Sequence, residues 1–310
     1  MTVSDDLFST PPNDEGFSGL ARLASAAVVG VEAIPVEIEV NTSPTEENTF
    51  SPSIVGLPDA AVRESVDRVG TALSNSGLAT PFQMRWLINL APADLRKEGP
   101  SFDLPIALGT LAALGSLEGA ALESIMAVGE LALSGNVRRI RGVLPIALKA
   151  KELGVQKLFV PAENGEEAAV VEGIDVYPVG HIREVVDFLN EEITLEPLQL
   201  ELESLFAQVQ DYPLDFEEVK GQEGARRALE IAVAGGHNIL MIGSPGTGKS
   251  MIAKRIPTIL PPLTLSESLE TTKIHSIAGT LPPHQALVGT RSFRGPHHTV
   301  SDAGLLGGGT

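Results

Sequence analysis

The chain is 310 residues long, carries a formal net charge of −18 and contains no cysteine; 43% of its residues are hydrophobic and only 4% aromatic. Disulfides, thiolate metal sites and thiol nucleophiles are excluded, and the charge argues against a generally basic, DNA-coating surface, so nucleic acid would have to meet a local basic patch or a central pore. With no run near the about 18 apolar residues of a membrane span and no basic-then-apolar leader, the sequence suggests a soluble, cytoplasmic α/β protein of two domains.

Residues 1–18 are polar, acidic and without period, and are expected to form a disordered tail. A first α/β domain is expected over 19–190. Val36 to Val40 alternates apolar with acidic residues, as a half-buried strand does. Asp59 is placed to cap a helix whose Val62, Val66, Val69 and Leu73 share one face and which ends at Gly77. Met84 to Leu90 reads as a strand, and Leu104 to Leu114, apolar nearly all round, as a buried helix. Further strands are expected at Ile125 to Val128, Lys157 to Val160 and Asp175 to Val179, and a last amphipathic helix at His181 to Leu189.

Between Glu191 and Glu218 there are nine acidic residues and no Lys or Arg, with Pro197 and Pro213 as breakers. This marks 191–213 as an acidic linker, with one short helix around Leu200 to Val209. The second domain is expected over 214–310. It opens with Asp215 to Gln222, continues in a helix from Glu223 to Val233, and after Pro261 and Pro262 carries a helix at Ser266 to Thr271 followed by a Gly-, Pro- and His-rich stretch.

The centre of that domain is a loop. Gly243, Ser244, Pro245, Gly246, Thr247, Gly248, Lys249 and Ser250 fit the pattern Gly-x4-Gly-Lys-Ser/Thr at every fixed position. The apolar run Asn238 to Ile242 before it reads as a buried strand, and Met251 to Ile256 after it as a helix stopped by Pro257. Glycines let main-chain N–H groups turn inward on phosphate oxygens, so the loop is expected to cradle a nucleoside triphosphate. Lys249 is expected on the β and γ phosphates and the Ser250 hydroxyl on Mg²⁺. Strand, loop and helix alone cannot close a parallel sheet, so the chain is expected to be a fragment.

Val219-Lys-Gly-Gln222, about twenty residues before the loop, resembles the segment of AAA+ ATPases that lies against the adenine; on that resemblance Val219, Gly221 and Gln222 join the nucleotide site. Arg294-Gly-Pro-His-His-Thr-Val-Ser-Asp302 followed by Gly307-Gly-Gly309 resembles the insertion of magnesium-chelatase-like AAA+ proteins. Ile54 to Ser65 and Asn89 to Pro105 are similar to signature segments of the YifB/ComM family. The resemblance implies a Lon-protease-like first domain, of the ribosomal-protein-S5 second-domain type, joined to an AAA+ motor with ATP and Mg²⁺ as cofactors. It also implies a homohexameric ring and, for ComM members, an ATP-driven helicase that migrates branched DNA in natural transformation. A magnesium-chelatase ATPase subunit and a non-catalytic assembly module are the alternatives.

Lon-type peptidases use a Ser-Lys dyad with the serine in a Gly-Pro-Ser context, which Gly99-Pro-Ser101 matches. The segment from Gly129 to Pro161 resembles the one that holds the Lon lysine, and aligned without a gap it puts Ile146 at that position. Isoleucine takes no proton, so Ser101 is expected to be a non-functional, peptidase-like serine whose hydroxyl caps the helix that begins near Phe102. Lys149 and Lys151 are off that register. His297 and His298, with His275 and His284, lack accompanying ligands at metal spacing and are expected to be structural. Arg291 and Arg294 suit DNA phosphates or a subunit contact equally; Arg138, Arg139 and Arg141 are expected to be a solvated turn.

Overall fold

The computed structural model describes residues 19–44, 51–208, 212–296, 299–301, 304 and 307. The expected tail and the pair His297 and His298 lie outside them. The chain groups into two units: one runs to Glu201 and takes in Thr271–Ala286, and the other comprises Leu202–Glu270 and residues from Leu287 on.

In the first unit the elements run as follows: β1 (Leu20–Val29), β2 (Glu32–Pro44), β3 (Ser51–Val55), α1 (Ala60–Arg63), α2 (Ser65–Asn75), β4 (Met84–Ala91), α3 (Asp103–Ala113), β5 (Ile125–Ala127), β6 (Glu130–Leu131), β7 (Val137–Arg138), α4 (Val143–Glu152), β8 (Lys157–Pro161), α5 (Gly165–Ala169), β9 (Asp175–Val179) and α6 (Ile182–Leu189). Seven strands make one sheet in the order β3-β4-β2-β1-β5-β8-β9, and β6 and β7 form a separate small hairpin. Pairing is antiparallel for β1–β2 and β2–β4 and parallel for β3–β4, β1–β5, β5–β8 and β8–β9. The sheet is therefore mostly parallel, in a mixed α/β unit. The β1–β2 hairpin reverses at Gly30, whose φ of 62° is a left-handed value that glycine adopts without a Cβ penalty.

Strand alternation sends Leu23, Ile38, Val40, Ile88 and Leu90 into one core, where they meet Leu104, Leu108 and Leu111 of α3 and Val69 and Leu73 of α2. All but Leu23 are 0% exposed, and Leu23 is 2% exposed; each such burial is worth about 1.5–3 kcal/mol relative to exposure. The opposite side of β1 carries Ala26 and Val28, which line a cavity with Ile146 of α4.

The strands expected at Met84, Ile125, Lys157 and Asp175 all form, and His181 caps α6 by accepting from Arg183 N at 3.1 Å. Asp59 caps as expected, accepting from Val62 N at 2.8 Å, but its helix is only α1; the stripe continues in α2 after a break at Glu64. The Ser101 cap is not formed. Phe102 occupies the cap position of α3 without a side-chain hydrogen bond, because Ser101 belongs to a preceding 3-10 turn, Pro100–Phe102.

The second unit contains α7 (Leu202–Gln208), a 3-10 turn at Phe216–Glu218, α8 (Glu223–Ala234), α9 (Lys249–Ala253), a 3-10 turn at Ile256–Ile259 and the start of α10 (Leu265–Ala278). Its core is Phe216, Val219, Leu229 and Ile252, with Met241, Ile256 and Ile259 packed on it. The strand expected at Asn238 to Ile242 does not form. Leu240 is 82% and Ile242 88% exposed, and among the described residues no strand lies beside them to take their backbone hydrogen bonds. The helix expected at Met251 to Ile256 instead starts at Lys249 and gives way before Pro257 to the 3-10 turn. Likewise α10 extends well past the expected Thr271. Thr264 Oγ1 accepts from Glu267 N at 3.2 Å while the Glu267 carboxylate accepts from Thr264 N at 2.8 Å, a reciprocal cap that fixes where α10 begins. No helix among the described residues is long and apolar enough to cross a membrane.

Candidate functional site

Two glycines shape the loop from Gly243 to Ser250. Gly246 and Gly248 have φ of 82° and 87°, values an L side chain adopts only with strain, and nothing lies within 4 Å of where a Cβ on Gly246 would stand. The main chain there is bare and open, as close approach of an anion demands. Within the turn, Lys249 Nζ donates to the carbonyls of Gly243 and Ser244, both at 2.8 Å, and to Thr247 Oγ1 at 3.3 Å. Thr247 Oγ1 in turn donates to Ser244 O at 2.9 Å. The ammonium thus sits on the loop's own oxygens, at the centre of a backbone ring. Pro245 stands at the outer turn, and Ser250, in the first turn of α9, is exposed.

The approach segment divides in role. Val219 is 0% exposed and belongs to the core with Phe216, Leu229 and Ile252. Gly221, with φ of 70°, has open space around it. Gln222, itself at φ 51°, donates Nε2 to the carbonyl of Thr247 at 3.0 Å and so fastens the start of α8 to the loop. Arg255 pairs with Glu218, its Nε at 3.0 Å from Oε2, and holds that carboxyl below the usual carboxylate range.

In the first unit, Ser101 lies on a turn pinned from several sides. Gly129 N donates to Ser101 O at 2.8 Å, and Leu104 N donates to Gly129 O at 3.0 Å. Just behind, Asp103 is 0% exposed and accepts from Arg68 Nε at 2.8 Å, Arg68 Nη2 at 3.0 Å and Leu131 N at 3.1 Å. Burial pushes the Asp103 carboxyl up, while the Arg68 and Ser65 hydrogen bonds oppose it. Ser101 and Ile146 line the same cavity, of about 470 Å³. Neither Lys149 nor Lys151 is part of its lining, and Lys149 Nζ is spent on Glu152 at 2.6 Å. The position that the dyad's lysine would take is thus apolar, and no lysine lies in the cavity lining.

The sequence did not point to the company these two keep. Arg139 and Arg141 line the same cavity, together with Ile277 from α10. Arg139 donates to the carbonyl of Leu281, whereas Arg138 turns to Glu130 at 3.3 Å. The signal was one of spacing: Arg138 and Arg139 are adjacent at a strand end, so they point to opposite sides. His275 Nδ1 pairs with Thr280 Oγ1 at 2.9 Å, and among the described residues no group of three His, Cys, Asp or Glu could hold a metal ion. Arg291 donates to Pro261 O at 2.7 Å and lies 3.3 Å from Glu267, and Arg294 donates to Gly304 O.

The family model "Magnesium chelatase, subunit ChlI" matches residues 215–310, and "Subunit ChlI of Mg-chelatase" matches residues 38–164. The competence protein ComM of Haemophilus influenzae is 42% identical over 294 residues, which are 94% of this chain and 56% of that protein. The uncharacterized protein YifB of Escherichia coli is 40% identical over 291 residues, 94% of this chain and 55% of that protein. The chain spans about half the length of these curated relatives. Lon protease 2 of Bacillus subtilis is 29% identical over 161 residues, 51% of this chain and 28% of the protease. With ChlI models matching both ends of the sequence and about 40% identity running through nearly all of it, the chain belongs to the YifB/ComM family of magnesium-chelatase-like proteins of AAA+ type.

Proposed function

We propose that the chain is the nucleotide-holding part of an ATP-driven AAA+ subunit that works on branched DNA, with ATP and Mg²⁺ as cofactors and a homohexameric ring as the working form. The observation that carries this reading is the Gly243 to Ser250 loop wound around Lys249 Nζ, which has two positive-φ glycines and open space above Gly246. Such a loop offers main-chain N–H groups and one ammonium to phosphate oxygens. The bound nucleotide supplies the phosphoanhydride whose cleavage drives movement. For their part, the loop amides and Lys249 grip and orient the phosphates, Ser250 is placed to ligate the metal, and Gln222 keeps the loop fixed to α8. Residues 214–310 are then the start of the motor domain, 191–213 the linker, and 19–190 a Lon-like scaffold without peptidase activity. DNA enters the reading through the resemblance of Ile54 to Ser65 and Asn89 to Pro105 to the YifB/ComM family, of which the similar protein from Haemophilus influenzae is named a competence protein. Arg291 and Arg294 are candidates for the phosphate contacts in the ring pore.

The ChlI description of both matching models favours one second reading, a subunit that drives Mg²⁺ insertion into a porphyrin. ATP turnover by the complete protein separates the two. Stimulation by a four-way DNA junction supports the motor. Indifference to DNA together with stimulation by a porphyrin-binding partner overturns it in favour of the chelatase.

A further inference from the structure

The cavity beside Ser101 is too well equipped to be mere residue of a lost peptidase site. Its floor is apolar, made by Ala26, Val28, Ile140, Ile146 and Ile277, and its volume of about 470 Å³ lies in the range of small-ligand sites, about 300–1,000 Å³. Charge is confined to four other lining residues, Glu98, Glu130, Arg139 and Arg141. The two acids are already matched: Glu98 lies 3.3 Å from Arg96, and Glu130 lies 3.3 Å from Arg138. The two arginines are not. Arg139 reaches only a carbonyl, that of Leu281, and among the described residues no carboxylate lies within ion-pair distance of either guanidinium. Two arginines without a carboxylate partner on the lining of a largely apolar cavity stand out in a protein of net charge −18.

Guanidinium forks match the two oxygens of a carboxylate, and methylene or side-chain carbon matches the floor. We infer that this cavity binds an apolar chain ending in a carboxylate, whose carbon lies on Val28, Ile140 and Ile146 while its carboxylate meets Arg139 and Arg141. Ser101 adds a hydroxyl donor and performs no chemistry. A fatty acid and the C-terminus of an apolar peptide both present this group.

Calorimetric titration of the full chain uses octanoate, N-acetyl-Leu-Leu with a free carboxylate, and N-acetyl-Leu-Leu amide. At least one carboxylate is expected to bind saturably, at least tenfold more tightly than the amide. Binding of octanoate alone marks a lipid ligand, and binding of the free peptide alone marks a peptide end. Arg141→Gln, at an exposed position that leaves the fold intact, should weaken the binding at least fivefold, and Ile146→Phe should weaken it by filling the floor. Three results each overturn the inference: no saturable binding of either carboxylate, an amide that binds as well as the acid, or an affinity unchanged in Arg141→Gln.

Discussion

Ser101, on the turn that precedes α3, and Ile146, in the first half of α4, line one cavity, and the isoleucine is 1% exposed. A nucleophilic serine needs a neighbour that accepts its proton; Lys149, the lysine nearest to Ile146 in sequence, is held by Glu152 at 2.6 Å, Lys97, four residues before the serine, gives its Nζ to the carbonyl of Pro92, and neither is part of that lining. A fluorophosphonate probe should therefore leave Ser101 unmodified under conditions that label a control serine hydrolase. Stoichiometric adduct on the peptide containing Ser101, read by mass spectrometry, ends the scaffold reading.

The Arg68–Asp103 pair sits directly behind that turn, with Asp103 fully buried and the Arg68 side chain 21% exposed. Arg68→Met leaves a buried carboxylate without its partner and should cost about 3–5 kcal/mol in urea denaturation. The pH dependence has a definite sign. Burial already raises the Asp103 value above 3.8, so between that value and the raised one the folded protein binds more protons than the unfolded chain. Stability from this group therefore falls as pH rises through that window, and losing Arg68 widens it upward. Acidification from pH 7 to 5 should narrow the gap between Arg68→Met and the parent; a gap that widens contradicts the assignment.

Much of this fold was legible because several segments declare themselves locally. The apolar run of α3 and the short apolar runs Leu158-Phe-Val160 of β8 and Val176-Tyr177 of β9 need no tertiary context to be read. By contrast, β1 includes Ala21, Ala24, Ala26 and Ala27, residues disfavoured in strands, and it is a strand because β2 and β5 pair on either side of it. The Asn238 to Ile242 run failed for the converse reason: its pattern is strand-like, but no neighbouring strand exists among the described residues. The length of α10 was missed because its apolar residues make no single stripe, although Thr264 and Glu267 stood at capping-box spacing. As for the sites, the loop around Lys249 is contiguous in sequence and could be read directly. The cavity at Ser101 joins residues from 26 to 277, and only the folded chain brings Arg141 and Ile277 beside it.

Glu167, 3% exposed, ties three elements together. Its carboxylate accepts from Leu144 N at 3.0 Å, from Asn164 Nδ2 at 2.9 Å and from the Ser276 hydroxyl of α10. Glu167→Leu strands all three donors in the interior, at about 1–3 kcal/mol each, so a loss above about 3 kcal/mol is expected. Glu167→Gln keeps one acceptor oxygen and should lose less than half as much. Equal losses for the two variants would mean that shape, rather than hydrogen bonding, is what Glu167 contributes.

Lys97 is 0% exposed and donates Nζ to the carbonyl of Pro92. Burial lowers its value from the ordinary 10.5, with Asp94 opposing. In the window between the lowered value and 10.5 the unfolded chain binds more protons than the folded one, so the parent gains stability as pH rises through it. Lys97→Met lacks that gain. The stability of the parent relative to Lys97→Met should therefore rise between pH 8 and pH 10, and a flat or falling difference in urea titrations would place the ammonium in water instead.

At the loop, Lys249→Ala removes both the charge offered to phosphate and the tie that Nζ makes to the carbonyls of Gly243 and Ser244. Affinity for a fluorescent ATP analogue should fall at least a hundredfold, about 2.8 kcal/mol at about 1.4 kcal/mol per decade. Lys249→Arg keeps the charge but presents a planar fork where the loop holds a compact ammonium, so it should rescue little of the loss. Ser250→Ala leaves the loop amides in place and removes one metal ligand; its defect should therefore grow with Mg²⁺ and shrink when the cation is chelated. If Lys249→Ala binds as the parent does, the nucleotide is held elsewhere, because no other ammonium or guanidinium among the described residues bonds the oxygens of this loop.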